Sequence, residues 1–317
     1  MPDRPLVRIG TRGSRLALTQ AGQMQRRIAA ALGYGPDQAE AVAPLVRIIT
    51  TGDRVQDRRL LEIGGKALFT KEIEEALLAG HVDCAVHSMK DVPIERKAGL
   101  TLAAIPERED PRDAFLSLAH GSLEALPPGA KLGTASLRRQ TQALFRRPDL
   151  QIVMIRGNVD TRLKKLAAGE ADAMVLAMAG LNRMGIEAPV REVFDPIAMP
   201  PAPGQGALAI ETRAGDAEQP WVLALAHAPT TLAIAAERGA LEALEGSCRT
   251  AVGAYGRIEG ARLILAVEAL TPDGRERFRR QGEVDVGVDG ERAARDLGLE
   301  LGAEIRDEGG ERLRLAD

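Results

Sequence analysis

The sequence predicts an α/β protein closed by a smaller α+β unit, on three observations. Short β-branched-rich apolar runs alternate with helix-period stretches from Leu6 to Thr212. Two proline-rich stretches, Pro106–Pro111 and Pro196–Pro203, interrupt that alternation. Beyond Thr230 the pattern changes to a helix, successive strands with a tight turn, and a closing amphipathic helix.

The elements follow in order. Leu6–Ile9 reads as a strand, and Leu16–Leu32 as a helix with Leu16, Met24, Ile28 and Leu32 spaced by multiples of four. Leu45–Thr51 is a β-branched-rich strand. Thr70–Ala79 is a helix, acidic at its start and stopped by Gly80. Val82–His87 is the next strand, and this strand–helix order implies a mostly parallel sheet. A second α/β unit has strands at Ala114–Ser117, Lys131–Gly133, Gln151–Ile155 and Ala173–Leu176, with helices at Ser136–Leu144 and Val159–Ala167. The strand Ala207–Thr212 follows the second proline-rich stretch and is expected to return to the first unit. The last unit holds a helix at Thr230–Leu244 and strands at Val252–Ile258 and Arg262–Leu270. A Thr-Pro-Asp-Gly turn at Thr271–Gly274 leads to a strand near Arg275–Val284, and Glu291–Asp307 is a helix.

Composition narrows the function classes. The 317 residues are 45% hydrophobic and 27% charged, as in an ordinary globular protein. A net charge of −3 provides no global positive field for nucleic acid, and 3% aromatic residues leave little to stack on bases. No signal pattern or membrane-length apolar run is evident, so a cytoplasmic protein is expected. Cys84 and Cys248 are far apart without Cys-x-x-Cys spacing, and the four histidines are scattered. Neither a disulfide nor a metal site is expected.

The chemistry-bearing residues gather at strand exits. Arg12 and Ser14 stand at the first strand-to-helix turn. Arg138 and Arg139 close Thr134-Ala-Ser-Leu-Arg-Arg139, Arg156 and Arg162 bound Arg156-Gly-Asn-Val-Asp-Thr-Arg162, and Arg183 follows the next strand. Cations near helix starts oppose the helix dipole unless an anion occupies the site. In open α/β sheets, ligands bind beyond the carboxyl ends of the strands. Arginine grips carboxylates with a planar fork, so the inferred ligand is a polyanion rich in carboxylate or phosphate. The absence of a Walker A or dinucleotide glycine pattern disfavours nucleotides without ruling them out. Ser88, Lys90 and Asp91 lie at another strand exit, where an ionised aspartate can hold an N–H donor and stabilise a developing cation. His87 reads as a packed structural histidine, and Cys84 as buried and inert. Cys248 sits in the small-residue loop Glu245-Gly-Ser-Cys-Arg-Thr-Ala251, where Arg249 favours the reactive thiolate. Ile63-Gly-Gly-Lys-Ala-Leu-Phe69 places Lys66 and Phe69 before a helix, and Pro201-Ala-Pro-Gly-Gln-Gly206 is a tight turn carrying Gln205.

Together these stretches resemble the hydroxymethylbilane synthase (porphobilinogen deaminase) family over nearly the whole chain. The likeness is carried by Thr11-Arg-Gly-Ser-Arg-Leu-Ala-Leu18, Thr50-Thr-Gly-Asp53, Gly64-Gly-Lys-Ala-Leu-Phe69 and Ala85-Val-His-Ser-Met-Lys-Asp-Val-Pro93. It continues through Gly133-Thr-Ala-Ser-Leu-Arg-Arg139, Arg156-Gly-Asn-Val-Asp-Thr-Arg-Leu163, Pro203-Gly-Gln-Gly-Ala-Leu208 and Gly246-Ser-Cys-Arg249. Ala135 stands where serine is frequent and Ala251 where proline is frequent. Neither departure removes a group that the chemistry requires.

The resemblance implies a transferase of tetrapyrrole synthesis that joins four porphobilinogen molecules into hydroxymethylbilane with release of ammonia. It implies a covalent dipyrromethane cofactor on Cys248 and Asp91 as the catalytic carboxylate. Ser88, Lys90, Thr134, Ser136, Arg138, Arg139, Arg156, Arg162, Arg183 and Gln205 match cofactor-binding positions. Arg12, Ser14, Lys66 and Phe69 match substrate-binding ones. The implied fold is three domains. Two of them, residues 1–106 with 204–226 and residues 107–203, resemble a bilobed periplasmic-binding-protein-like pair with a cleft. Residues 227–317 form a smaller α+β domain with an antiparallel sheet that carries the cysteine. A monomer is expected, with no nucleic-acid or membrane partner.

Three rival readings share part of this pattern. A bilobed solute-binding protein explains the arginines but has no need of Cys248. A ligand-sensing regulator needs a helix-turn-helix segment that is not evident. Another enzyme of anionic metabolites has to explain Lys90-Asp91 and Cys248 together.

Overall fold

A computed structural model describes residues 4–54, 68–244 and 250–315. In chain order the strands are β1 (Ile9–Thr11), β2 (Leu45–Arg47), β3 (Cys84–Ser88), β4 (Leu100–Ala104), β5 (Asp113–Leu116), β6 (Lys131–Gly133) and β7 (Gln151–Val153). They continue as β8 (Ala173–Ala177), β9 (Val190–Val193), β10 (Leu208–Arg213), β11 (Ala251–Glu259), β12 (Arg262–Leu270) and β13 (Arg277–Asp285). The longer helices are α1 (Arg15–Ala31), α2 (Lys71–Leu78), α3 (Leu137–Arg146), α4 (Val159–Ala167), α5 (Met178–Met184), α6 (Ala228–Ala243) and α7 (Gly290–Gly309). The described residues fall into two compact units. One comprises residues up to 54 with 68–109 and 207–231, and the other 110–206 with those from 232 onward.

The first unit is built on a five-stranded sheet of order β2-β1-β3-β10-β4. Strand β3 alternates faces with period 2. Cys84 and Val86 pack with Met24 and Ile28 of α1 in one core, while Ala85 packs with Ile73 and Leu77 of α2 in another. Burying both faces explains why β3 reads as a continuous apolar run. The expectation of a mostly parallel sheet needs correction. β1 runs parallel to β2 and β3, but β10 runs antiparallel to both β3 and β4. β10 re-enters after the excursion through residues 110–206, in the opposite sense, and separates β3 from β4. The sequence reading also passed over β4 and β9, of which β9 alternates neither polarity nor burial cleanly.

The second unit carries two sheets. The first has order β7-β6-β8-β5-β9, with β6 parallel to β7 and β8, and β5 antiparallel to β8 and β9. Phe115 packs into the core on one face, and Ala114 and Leu116 into that on the other. The second sheet is the antiparallel meander β11-β12-β13. Glu259 pairs with Arg262 across a two-residue loop in which Gly260 has φ +61°, a conformation that glycine takes without steric cost. The Thr271–Gly274 turn closes with the Gly274 N–H donating to Thr271 O at 2.8 Å.

Helices α6 and α7 cover this meander and cross at glycines. A Cβ on Gly298 would stand 2.0 Å from Ala236 O, and one on Gly302 would stand 2.7 Å from Ala240 O. The two backbones meet where only hydrogen atoms intervene. Gly298→Ala is therefore expected to destabilise the protein by about 1–3 kcal/mol, the usual cost of overpacking, despite alanine's better helix propensity. Urea unfolding of the variant beside the parent measures it.

Candidate active site

In the first unit the site begins where β1 ends. Ser14 caps α1, its Oγ accepting the Ala17 N–H at 3.2 Å. Arg12 turns to Asp53, with Nη2–Oδ1 at 2.5 Å and Nε–Oδ1 at 3.1 Å, and its guanidinium lies 4.0 Å from the centroid of the Phe69 ring. Thr50 Oγ1 also donates to Asp53, at 2.8 Å. Burial pushes the Asp53 carboxyl up, but Arg12 and Thr50 outweigh it and hold the group below its ordinary range. Gly52 lies so close to Phe69 that a Cβ there would stand 2.1 Å from the ring.

The exit of β3 carries the next group. Met89–Asp91 form one turn of 3-10 helix. Met89 and Val92 are buried, whereas Lys90 and Asp91 are exposed. The Met89 N–H donates to Ala207 O at 3.0 Å, and the Val92 N–H to Met89 O at 3.1 Å. Apolar anchors on both sides thus leave these two charged residues at the surface. The Ser88 hydroxyl meets the side-chain amide of buried Gln20, with contacts of 3.0 and 3.1 Å.

Beside this exit lies a buried ionic group. His87 Nε2 is 2.9 Å from Oε2 of Glu211, and Arg96 donates to the other Glu211 oxygen. Burial, assisted by the Arg96 charge, pushes the His87 pKa down to about 4. His87 is therefore neutral at pH 7, and its Nε2–H donates to the carboxylate. A lowered folded-state pKa contributes stability that is present above the unfolded value near 6.5 and lost as pH falls toward about 4. The parent should thus lose about 3 kcal/mol relative to His87→Gln across that window. Urea unfolding at a series of pH values reads the difference.

In the second unit, β7, β6 and β8 are parallel neighbours, so their carboxyl ends lie side by side. After β6, Thr134 Oγ1 accepts the Ser136 N–H at 3.1 Å, and Ser136 Oγ caps α3 by accepting the Arg139 N–H at 3.5 Å. This turn sends Arg138 and Arg139 inward, where they are only 5% and 6% exposed. Both grip Asp113 at the start of β5: Arg138 Nη2–Oδ2 and Arg139 Nη2–Oδ1 are each 2.8 Å. Gln205 Nε2 donates to Asp113 Oδ1 at 2.8 Å and to Pro111 O at 2.7 Å. Arg138 Nη1 donates to Gln142 Oε1 at 2.7 Å, and Gln142 Nε2 to Glu268 Oε1 at 2.7 Å. Burial pushes the Asp113 carboxyl up, but the two guanidiniums hold it far below the ordinary range. Burial raises the Glu268 pKa, against the opposing pull of Gln142 and nearby arginines. Two cations share this one aspartate, and Glu268 brings a second carboxylate whose charge also acts on Arg138.

After β7, Gly157 has φ +120°, and its carbonyl accepts from Arg162 Nε at 2.8 Å. Asn158 caps α4, accepting the Thr161 N–H at 2.8 Å. Nη1 of Arg156 is buried and lacks a hydrogen-bond partner among the described residues. After β8, Arg183 Nη2 donates to Gly206 O at 2.8 Å. The fold thus gathers Thr134, Ser136, Arg138, Arg139, Arg156, Arg162, Arg183 and Gln205 around one end of one sheet. Cys248 and Lys66 lie outside the described residues. Sequence reasoning did not single out Asp113, Glu211, Gln142 or Glu268. Three of these are carboxylates inside apolar strands, a legible sign of buried ionic partners.

Comparison with known proteins decides the family. Residues 7–220 match the family described as porphobilinogen deaminase, dipyromethane cofactor binding domain, and residues 231–307 match porphobilinogen deaminase, C-terminal domain. This chain belongs to the porphobilinogen deaminase family. Proteins named porphobilinogen deaminase from Phenylobacterium zucineum and Caulobacter vibrioides are each 62% identical, over 320 and 322 residues. The alignments cover 99% and 100% of this chain and all of each relative. The protein of that name from Caulobacter sp. strain K31 is 63% identical over 317 residues, 99% of this chain and 100% of that one. Among solved structures, a YaeC-family lipoprotein from Enterococcus faecalis has a TM-score of 0.42 at 15% identity over 69% of this chain and 88% of that one, a likeness too weak to support a conclusion.

The residues fit the cofactor named for the porphobilinogen deaminase family. A dipyrromethane made from two porphobilinogen units carries four carboxylates. A set of arginines at neighbouring strand ends, one of them Arg156 with a buried guanidinium nitrogen that has no hydrogen-bond partner among the described residues, is suited to such a ligand. Among the described residues, no helix is long and apolar enough to cross a membrane, and no group of three His, Cys, Asp or Glu is placed to hold a metal ion.

Proposed function

We propose that this chain joins four porphobilinogen molecules head to tail on a dipyrromethane primer attached through Cys248, releasing ammonia at each addition, with water supplying the hydroxyl of the hydroxymethylbilane that is released. The observation that carries the reading is family membership held along the whole chain. When bound, the dipyrromethane supplies the pyrrole end to which the first new unit is joined.

Each porphobilinogen brings an acetate and a propionate, so the growing product is a polyanion. Arg138, Arg139, Arg156, Arg162 and Arg183 bind these carboxylates, with Ser88, Lys90, Thr134, Ser136 and Gln205 completing the cofactor's contacts. Arg12, Ser14, Lys66 and Phe69 receive the incoming substrate. Loss of ammonia leaves a cation on that substrate. Asp91 stabilises it, holds the pyrrole N–H, and accepts or relays the proton lost when the ring rearomatises. Asp91 is exposed on a short turn with buried anchors on either side, which makes it accessible while limiting its movement. Cys248 is the nucleophile during cofactor assembly and an inert thioether anchor afterwards.

The division into residues 1–106 with 204–226, residues 107–203 and residues 227–317 belongs to this reading. So do a monomeric state, a cytoplasmic location and the absence of a nucleic-acid partner.

Intact mass of the purified protein beside Cys248→Ser tests the assignment. The expected result is an excess equal to two linked pyrrole units in the parent alone. If the parent has its bare polypeptide mass and gains nothing on incubation with porphobilinogen, the reading fails.

A further inference from the structure

The exit of β3 is held by a buried polar group that the proposed chemistry does not use. We propose that His87 is a positioning residue for Asp91: its imidazole, donating from Nε2 to Glu211, fixes the strand exit on which Asp91 stands. The inference rests on the reading of Asp91 as the catalytic carboxylate.

The geometry supports it at both ends of a short span. β3 and β10 run antiparallel with His87 opposite Ala209 and Ala85 opposite Glu211, so the imidazole reaches Glu211 on the diagonal. Beyond β3, the Met89 N–H is held by Ala207 O. One stretch of β10 and its lead-in, Ala207 to Glu211, therefore holds the segment immediately before Lys90 and Asp91 through the backbone ladder, through the Met89 N–H and through the imidazole.

Glu211 is fully buried and ion-paired to Arg96, and an ionised carboxylate only accepts. Its contact with His87 therefore needs a proton on Nε2. The charged groups acting on the imidazole besides Glu211 are Arg96, Glu74, Asp91 and Arg12, so Asp91 lies within electrostatic reach of the ring. An apolar side chain at 87 deprives a buried Glu211 oxygen of its donor, and the two strands must then shift to recover one. Glutamine is the conservative replacement, because its amide nitrogen reaches about as far as Nε2.

The test compares cofactor-loaded His87→Gln, His87→Leu and Asp91→Asn with the parent in steady-state kinetics, well below each variant's unfolding temperature. His87→Leu is expected to lose kcat on the order of 10²-fold, with KM changed less than about threefold, as for a misplaced catalytic group. His87→Gln should retain kcat within about threefold of the parent. The inference is overturned if His87→Leu keeps parental kcat, if only KM changes, or if folded His87→Gln is as slow as His87→Leu. Should His87→Leu fail to fold, His87→Asn, whose amide is too short to reach Glu211, takes its place with the same expected loss. Nitrogen NMR of the parent provides a check without substitution. A proton on Nε2 from about pH 5.5 to about pH 8 is expected, and a neutral ring protonated on Nδ1 alone overturns the inference. A fully active Asp91→Asn sinks the reading of Asp91 itself, whereas an inactive Asp91→Asn beside an unaffected His87→Leu sinks the inference about His87 alone.

Discussion

Asp91→Ala is expected to lower turnover by about 10³-fold or more while the polypeptide still folds, because it removes the negative charge facing the developing cation. Folding should be nearly unaffected, within about 0.5 kcal/mol, since an exposed side chain buries nothing that its truncation exposes. Met89 and Val92, the buried anchors of the turn, remain in place. Single-turnover kinetics with the loaded enzyme, paired with urea unfolding, separates the two quantities. A variant that turns over normally refutes the assignment, and one that fails to fold moves Asp91 from chemistry to structure.

Asp113→Ala should have the largest effect on stability. Arg138 and Arg139 are both buried and both depend on this one carboxylate. Removing it takes the ion partner from both buried guanidiniums and leaves Arg138 only the charge of Glu268, a loss of about 3–5 kcal/mol. Gln205 also loses an acceptor. Urea unfolding of the apoenzyme reads the change without involving the cofactor. The pH dependence has a definite sign. Asp113 has a folded-state pKa far below the unfolded value of about 3.9, so its contribution is fully present above that value. It is lost progressively as pH falls from there toward the folded value. The stability gap between the parent and Asp113→Asn should therefore stay constant above about pH 5 and shrink only in strong acid.

These two residues differ in how far the sequence exposes them. Asp91 is legible because its neighbours are diagnostic: an apolar strand, then Ser88, Lys90 and Asp91, then Pro93. The arginines are legible because each follows a strand and enters a helix turn. Asp113 is hidden because its partners lie 25 and 26 positions away, across a sheet whose strand order no local pattern specifies. Glu211 is hidden for the same reason, with His87 and Arg96 reached only across β3 and β10.

By itself the sequence determined most of the element order, the change from α/β to antiparallel architecture, the gathering of arginines at strand exits, and the motif set that marks the family. Hydrophobic period and turn chemistry are local quantities, and a linear pattern records them. Tertiary structure alone decided that β10 runs against β3 and that Arg138 and Arg139 share Asp113. It also decided that His87 donates to Glu211 and that Arg156 holds a buried nitrogen with no partner among the described residues. Period 2 states which faces of a strand are buried but not which strand lies beside it. The partner of a buried charge is set by that neighbour, because desolvation makes any unpaired arrangement too costly to persist.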